Sequence, residues 1–394
     1  HSSIVSPTVP DAPLEQAVCG DANPHGVVLL VDPEVRPGIY ARLSRFESDL
    51  CAAGYFVFER RSDFATPPEV RAYLADLWNR THQKLEGAYL VGSFPYVYQF
   101  VSEHSDNPGY PDVTEETISL QYYADLDGTF ATSAGYKSRG GHEYSYDLHT
   151  GEVDWELWIG VLPRAKGPVA ITVDGINRYL DRNHAFRSGE LTLPKSFLLV
   201  DELLSAGTQA EYDRILAYES SGAYAWTPLS NGPNAHIYFK SAQPGVSVSE
   251  GYVQLSAGVS DITVLQAHGS YQSSGQIDVD WVTGHYVRTL MIWSDACAVG
   301  NLDHADNLLS AILYSPTSSV VIAKGTTNNS GGMGTNRSGY FGHNIASSIA
   351  SGGSVGEAVL GHVNVPLINP WAEAREFHFG TVVLLGDPTI RLRA

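Results

Sequence analysis

The sequence is poor in cysteine and methionine and has no long apolar run. Its 394 residues include three cysteines and two methionines (Cys 3, Met 2). No apolar segment approaches the ~18 residues that a membrane-spanning helix requires, so we expect no membrane span. No repeat with a period of about 20–50 residues is visible, which argues against solenoids and propellers. No signal peptide is visible either, and because the chain opens at His1 we interpret it as a trimmed form.

Basic residues are scarce as well. The chain has 24 Lys and Arg against 43 Asp and Glu, a formal net charge of -19. Such a charge argues against nucleic acid as a partner and would attract cationic peptides. Acidity that serves only solubility explains the charge equally well. With 43% hydrophobic and 17% charged residues, the composition is that of a compact globular protein, and the length favours two units.

The cysteines divide into a pair and a single residue. Cys19 and Cys51 lie close enough in sequence to form one disulfide, whereas Cys297 stands apart. A cysteine left over in a disulfide-permissive protein is a candidate reactive thiol. A buried, inert cysteine would look the same in the sequence.

Strand and helix patterns alternate along most of the chain. The predicted strands lie at 26–32, 55–58, 86–92, 156–160, 196–200, 236–239 and 319–323. The predicted helices lie at 36–53, from 67 onward, and at about 168–187, 208–219, 246–257, 302–314 and 340–350. This alternation predicts an α/β fold with mostly parallel sheets and right-handed crossovers. We expect a surface extension at 1–25, an N-terminal α/β subdomain at 26–165 and a second α/β subdomain at 166–394, each with its own sheet and joined side by side.

Two further strands in the second half end in reactive side chains. The apolar run from Asp261 ends in His268 and Gly269, and the run from Arg288 ends in Asp295-Ala-Cys297. Neighbouring parallel strands would bring the imidazole and the thiol to one sheet edge, the arrangement that a cysteine nucleophile requires.

This pairing predicts acyl transfer through a Cys–His dyad. Cys297 would attack a carbonyl, and His268 would protonate the leaving amine. The backbone amides of Gly269 and Cys297 would bind the oxyanion. The predicted helix after Cys297 would place the sulfur at a helix N-terminus, which favours the thiolate.

Three residues around the dyad are candidates for substrate binding. Side chains two apart on a strand face the same side, so Asp295 and Gln266 should line a pocket beneath Cys297 and His268. A carboxylate there would select Arg or Lys at the P1 position, the residue on the amino side of the scissile bond. The alternative is that Asp295 caps the following helix. Thr326 begins a polar loop, 326–334, that would form the rim.

One acidic turn is a candidate cation site. Asp125 and Asp127 are followed by Gly128, a pattern that could bind Ca²⁺ through carboxylate oxygens. A turn stabilised only by the Asp125 side chain is the alternative.

Together, the His268-Gly269 and Ser294-Asp-Ala-Cys297 strand ends resemble those of the gingipain family of caspase-like cysteine peptidases. Weaker similarities are Tyr89-Leu-Val-Gly92-Ser-Phe-Pro95, Glu156-Leu-Trp-Ile-Gly160 and Leu385-Gly386-Asp387-Pro388. The resemblance implies a caspase-like three-layer fold and a secreted endopeptidase with nucleophile Cys297 and general acid/base His268. It also implies that Glu156 orients the imidazole and that a structural Ca²⁺ is bound. A solvated carboxylate remains the alternative for Glu156.

The resemblance leaves the specificity and the exact reaction open. Arginine-specific gingipains carry an acid shortly after the segment that resembles 156–160, and residues 163–171 here contain none. The Asp295-x-Cys297 pattern instead resembles metacaspases and clostripain, in which that acid binds Arg or Lys. The same dyad would also serve a sortase-like transpeptidase. An inactive caspase-like binding module is the third alternative, although such a module needs neither His268 nor Cys297.

Overall fold

The computed structural model describes residues 2–3, 19, 23–103, 113–133, 142–152, 154–206, 235–241, 247–327, 345–364 and 381–393. Its strands are β1 (Ser2–Ser3), β2 (His25–Val31), β3 (Tyr55–Arg61), β4 (Leu85–Gly92), β5 (Tyr98–Glu103), β6 (Val113–Ile118), β7 (Thr129–Thr132), β8 (Ser145–Tyr146), β9 (Leu148–Thr150), β10 (Trp158–Pro163), β11 (Phe197–Ala206), β12 (Ala235–Ser241), β13 (Ile262–Gln266), β14 (Gly269–Ser270), β15 (Ser273–Ser274), β16 (Ile277–Asp278), β17 (Met291–Ser294), β18 (Ile322–Thr326) and β19 (Val382–Gly386). Its helices are Arg36–Ala52, Pro67–Arg80, Gln121–Ala124, Val169–Arg187, Val248–Ala257, Val279–Gly284, Leu308–Tyr314 and Val355–Val363, and residues 345–350 are also helical.

Ten strands form one sheet in the order β12-β11-β13-β17-β18-β19-β10-β4-β2-β3. Every neighbouring pair is parallel except β18 and β19, which are antiparallel. The carboxyl ends of β11, β13, β17 and β18 therefore share one edge with the amino ends of β19 and β10. We call this edge the upper edge.

The expected α/β class and mostly parallel sheet are confirmed, and the two halves of the chain are joined more closely than expected. β19, from the C-terminal end of the chain, pairs with both β18 and β10. We expected two separate sheets side by side, but the strands of both halves belong to one continuous sheet. The helix predicted at 208–219 and most of the extension at 1–25 lie outside the described residues.

The strands of the sheet are apolar because both faces are covered. β2 is buried from Gly26 through Val31, and each of its leucines, Leu29 and Leu30, has no exposed surface. Burying one such side chain contributes roughly 1.5–3 kcal/mol. A central parallel strand therefore reads as a continuous apolar run without polar alternation.

Helix boundaries follow local capping signals. The helix Pro67–Arg80 begins with Pro67 after Thr66, and Glu69 accepts hydrogen bonds from the backbone N–H groups of Ala65 and Thr66. The helix Arg36–Ala52 ends before Gly54, whose φ of 92° is in the left-handed region.

A buried carboxylate fixes β19 in the centre of the sheet. Asp387 follows β19 and accepts hydrogen bonds from Tyr89 (2.6 Å), Asn183 (2.8 Å) and Arg187 (2.5 Å). Burial alone would raise the pKa of Asp387, but the charge of Arg187 and the hydrogen bonds from Thr389, Tyr89 and Arg187 hold it below its ordinary value. The charged residue thus ties β4 and the helix Val169–Arg187 to the end of the chain.

A small sheet, β6-β5-β8, contacts the segments that follow β17 and β18. Thr327, the first residue after β18, donates a hydrogen bond to the carbonyl of Ile118 (2.7 Å). The Tyr98 hydroxyl donates to Asp303 (2.5 Å). This sheet therefore borders the upper edge on the side where the chain emerges from both strands.

Cys19 and Cys51 form the expected disulfide, with their Cα atoms 6.0 Å apart. Among the described residues, no helix is long and apolar enough to cross a membrane.

Candidate active site

His268 and Cys297 emerge from adjacent parallel strands at the same level. Leu265 of β13 is the register partner of Ser294 of β17, and the N–H of Asp295 donates to the Leu265 carbonyl (3.0 Å). His268 and Cys297 each follow three residues after these partners. Strand register thus brings the chain segments that carry His268 and Cys297 to neighbouring positions on the upper edge.

The two chain segments touch immediately beside these residues. A Cβ atom on Gly269 would lie 2.8 Å from the Ala296 Cβ and 2.3 Å from the Ser273 carbonyl oxygen. Only glycine fits at this distance, so the residue after His268 packs directly on the residue before Cys297. His268 is exposed, Cys297 is half-buried, and its sulfur lies outside the disulfide.

Cys297 lies in a strained turn. Ala298 has a φ of 52°, in the left-handed region, and is buried. The turn is closed by a hydrogen bond from the N–H of Asn301 to the Ala298 carbonyl (2.9 Å). A non-glycine residue held in this conformation costs energy that the surroundings must supply, a feature often found at functional sites.

The predicted helix N-terminus at Cys297 is wrong. The helix begins at Leu308, and the Asn307 side chain caps it by accepting from the N–H of Ser310 (2.9 Å). The turn-forming residues between 300 and 307 delay the start of the helix. Cys297 is therefore not stabilised by a helix dipole, and Asp295 does not cap this helix.

The segment after His268 is also bonded to the segment after Cys297. The Tyr271 carbonyl accepts a hydrogen bond from the N–H of Leu308 (2.7 Å). The Tyr271 ring stacks on the His304 ring, with 3.8 Å between the centroids. The Gln272 amide donates to Asp306 (3.2 Å). These contacts join the segment that follows His268 to the segment that follows Cys297.

Thr326 supports the Cys297 turn from below. Its hydroxyl donates to the carbonyl of Ala296 (3.0 Å), and the side chain is buried at the end of β18. The prediction that Thr326 binds substrate at the rim is therefore corrected, because its hydroxyl points into the protein. Residues 328–334 of the predicted rim lie outside the described residues.

Polar side chains on one face of the sheet continue below the dyad. Asp201 of β11 is the register partner of Gln266, and Gln266 and Asp295 follow the paired residues Leu265 and Ser294. By strand alternation, Gln266 and Asp295 face the same side of the sheet as Val264 and Trp293, which are register partners. Gln266 and Asp201 are buried.

Asp295 has an intramolecular partner that the sequence analysis missed. Its Oδ1 atom lies 2.5 Å from Nζ of Lys324 and accepts from the indole N–H of Trp293 (3.1 Å). The Lys324 ammonium also lies 4.7 Å from the Trp293 ring centroid. The sequence contains a signal for this pair, because Lys324 directly follows the apolar run Val320–Ala323. A charged side chain in a buried strand needs a partner.

Glu156 lies on the upper edge but does not reach His268. β17, β18 and β19 separate β10 from β13, which places the two strands roughly 19 Å apart at ~4.8 Å per strand. Within the described residues, no hydrogen bond or ion pair joins Glu156 to His268. Its carboxylate accepts instead from the N–H of Leu126 (2.5 Å), so the predicted orienting contact is absent.

Glu156 belongs to a carboxylate cluster with Asp125 and Asp127. One potential ligand atom from each of the three lies within 4.8 Å of the others. Burial, followed by the nearby charges of Asp127 and Asp125, raises the pKa of Glu156 to about 7. The cluster contains only oxygen donors, which suits a hard cation such as Ca²⁺.

Hydrogen bonds within the chain stabilise the turn that holds this cluster. Asp125 accepts from the N–H of Gly128 (2.6 Å) and lies 2.8 Å from Nε2 of the buried His149. Arg71 donates to the carbonyls of Asp125 and Gly128. The turn stabilised by the Asp125 side chain, which the sequence left open as an alternative, is therefore present, and Glu156 also supports it by accepting from the N–H of Leu126.

Among known proteins, a similarity is found to a solved structure but not to a family model or a curated sequence. No family model matches the sequence, and no curated protein matches it. The crystal structure of the Arg-specific cysteine proteinase gingipain R is similar, with a TM-score of 0.61 and 13% sequence identity. The likeness covers 93% of this chain and 78% of that chain. At this identity the comparison shows a shared caspase-like α/β fold.

Proposed function

We propose that this chain is a cysteine peptidase, with Cys297 as nucleophile and His268 as general acid/base. The observation that carries the proposal is the register of β13 and β17, in which Leu265 pairs with Ser294, because His268 and Cys297 each follow three residues after this pair. The similarity of this fold to that of gingipain R, a cysteine proteinase, also supports the proposal. A thiol beside an imidazole is the arrangement that activates a cysteine for attack.

The proposed reaction proceeds through an acyl-enzyme. The Cys297 sulfur attacks the peptide carbonyl, and the amides of Gly269 and Cys297 stabilise the oxyanion. His268 accepts the proton of the Cys297 thiol and transfers it to the leaving amine. Water then hydrolyses the thioester, which releases the acyl group as a carboxylic acid and restores the thiol. The strained turn at Ala298 and its support by Thr326 hold the sulfur in position while the carbonyl changes geometry.

The experiment is cleavage of a fluorogenic peptide library by the wild-type chain and two variants. Cys297→Ala and His268→Ala should each lower kcat/KM by at least about a thousandfold. An added amine acceptor distinguishes hydrolysis from transpeptidation, because the acceptor is ligated only by a transferase. Unchanged cleavage by Cys297→Ala would refute the proposal.

A preference for Arg or Lys at P1 is a separate hypothesis. It is supported by Asp295, which precedes Cys297 by two residues, and by the net charge of -19. The Lys324 ammonium opposes it, since it already neutralises that carboxylate.

Two further properties are proposed. We infer secretion because the Cys19–Cys51 disulfide persists in an oxidising compartment. We also infer that Asp127, Glu156 and Asp125 hold a structural Ca²⁺, which would neutralise crowded carboxylates and take no part in the chemistry.

A further inference from the structure

Lys324 is a buried cation in the middle of the sheet. It lies on β18 opposite Trp293 of β17 in the parallel register, and only 4% of its side chain is exposed. An ammonium group is transferred from water into such a site only when partners compensate the lost hydration. Its position is therefore set by the groups around its Nζ atom.

Two of those groups lie on the strand that leads to Cys297. Nζ lies 2.5 Å from Asp295 Oδ1 and 4.7 Å from the centroid of the Trp293 ring. The Trp293 indole N–H donates to the same oxygen at 3.1 Å. That oxygen thus receives one charged and one neutral donor from within the protein.

Asp295 is also the carboxylate nearest in sequence to the nucleophile, two residues before Cys297. A substrate side chain that entered beneath the dyad would meet Asp295 already paired. A guanidinium or ammonium group from the substrate would meet a carboxylate that Lys324 already neutralises. Its positive charge would also lie close to the Lys324 ammonium, and like charges placed together in a partly buried site repel each other.

We propose that Lys324 is a specificity-determining residue that excludes Arg and Lys from P1 and leaves a pocket for uncharged side chains. This inference rests on the proposed peptidase function. It assigns Asp295 a role in holding Lys324 instead of binding the substrate.

The direct test is the P1 profile of the wild-type chain, measured with fluorogenic peptides that differ only at P1. The best uncharged residue should exceed Arg and Lys by at least about tenfold in kcat/KM. A preference for Arg or Lys would overturn the inference and leave the peptidase proposal standing. Cleavage of no peptide, without alkylation of Cys297, would refute both.

A variant pair tests the cause. Lys324→Met uncovers the Asp295 carboxylate and should raise the Arg-to-uncharged ratio by at least about tenfold. Lys324→Met/Asp295→Asn removes both charges and should lose that gain. An unchanged ratio in a folded Lys324→Met protein would overturn the inference, and if this variant does not fold, the wild-type profile decides alone.

Discussion

Leu265 and Ser294 are register partners on adjacent parallel strands, and His268 and Cys297 each follow three residues later. Residues that follow paired positions on adjacent strands lie near each other in the fold without a long connecting loop. The contact between Gly269 and Ala296 shows how closely the two segments approach. The two segments are thus held together by strand pairing, without a helix that begins at Cys297.

Gly269→Ala should disrupt this approach. The new Cβ would lie 2.3 Å from the Ser273 carbonyl oxygen and 2.8 Å from the Ala296 Cβ, so the backbone beside His268 must move. We expect a loss of about 1–3 kcal/mol in the free energy of unfolding and at least about a tenfold loss in kcat/KM. Gly284→Ala is the matched control, because a Cβ there meets nothing within 4 Å. Equal behaviour of the two variants would contradict the packing described.

Thr326→Val should weaken the support of the Cys297 turn. It leaves the Ala296 carbonyl without the hydroxyl that donates at 3.0 Å, at a cost of about 1–3 kcal/mol. Peptide cleavage should fall, whereas Thr326→Ser, which keeps the hydroxyl, should retain it. A valine variant as active as the serine variant would show that this hydrogen bond does not position Cys297.

The raised pKa of Glu47 predicts that the stability of the folded chain depends on pH, independently of the candidate active site. Burial and the neighbouring Glu59 raise the pKa of Glu47 to about 7. Between its ordinary value and about 7 the folded state binds more protons than the unfolded state, so stability falls as pH rises through this window. Glu47→Gln should stabilise the protein at pH ~8 by on the order of 2 kcal/mol and flatten this dependence.

Chemical denaturation at several pH values measures this effect, with the exposed Glu190→Gln as control. Parallel stability profiles for the wild-type chain and Glu47→Gln would contradict the raised pKa.

Calcium should stabilise the chain through the carboxylate cluster. With Ca²⁺ at about 100 times its dissociation constant, we expect a gain of about 2.7 kcal/mol over EDTA. Asp127→Asn removes one of the three carboxylates and should abolish most of that gain, whereas Asp63→Asn, at an exposed position outside the cluster, should keep it. Identical melting temperatures of the wild-type chain in Ca²⁺ and in EDTA would show that the cluster does not bind a stabilising Ca²⁺.

Local patterns in the sequence were sufficient for most of the sheet. The apolar run of β2 and the spacing in the helix Arg36–Ala52 are properties of contiguous residues. The common edge of β13 and β17 followed from the general geometry of parallel strands. The central place of β19 did not, because an apolar strand carries no record of which partners it pairs with.

The details of the site depend on contacts between residues distant in sequence. Lys324 reaches Asp295, and Thr326 reaches Ala296, only after β17 and β18 are paired. Glu156 shares the upper edge with His268 but is separated by three strands, a distance that no motif encodes. The helix begins at Leu308 because Asn307 caps it. Several residues between 300 and 307 are also typical of helix starts and turns, so the sequence alone did not single out Asn307.

The most direct test of the central claim is the rate at which iodoacetamide alkylates Cys297 in the wild-type chain and in His268→Ala. An imidazole in contact with the sulfur favours the thiolate at neutral pH. At pH ~6.5 the rate should therefore fall by at least about tenfold in His268→Ala, while at pH ~9.5, where any thiol ionises readily, the two rates should converge. Equal rates at pH ~6.5 would contradict the account, because they would show that His268 does not act on Cys297.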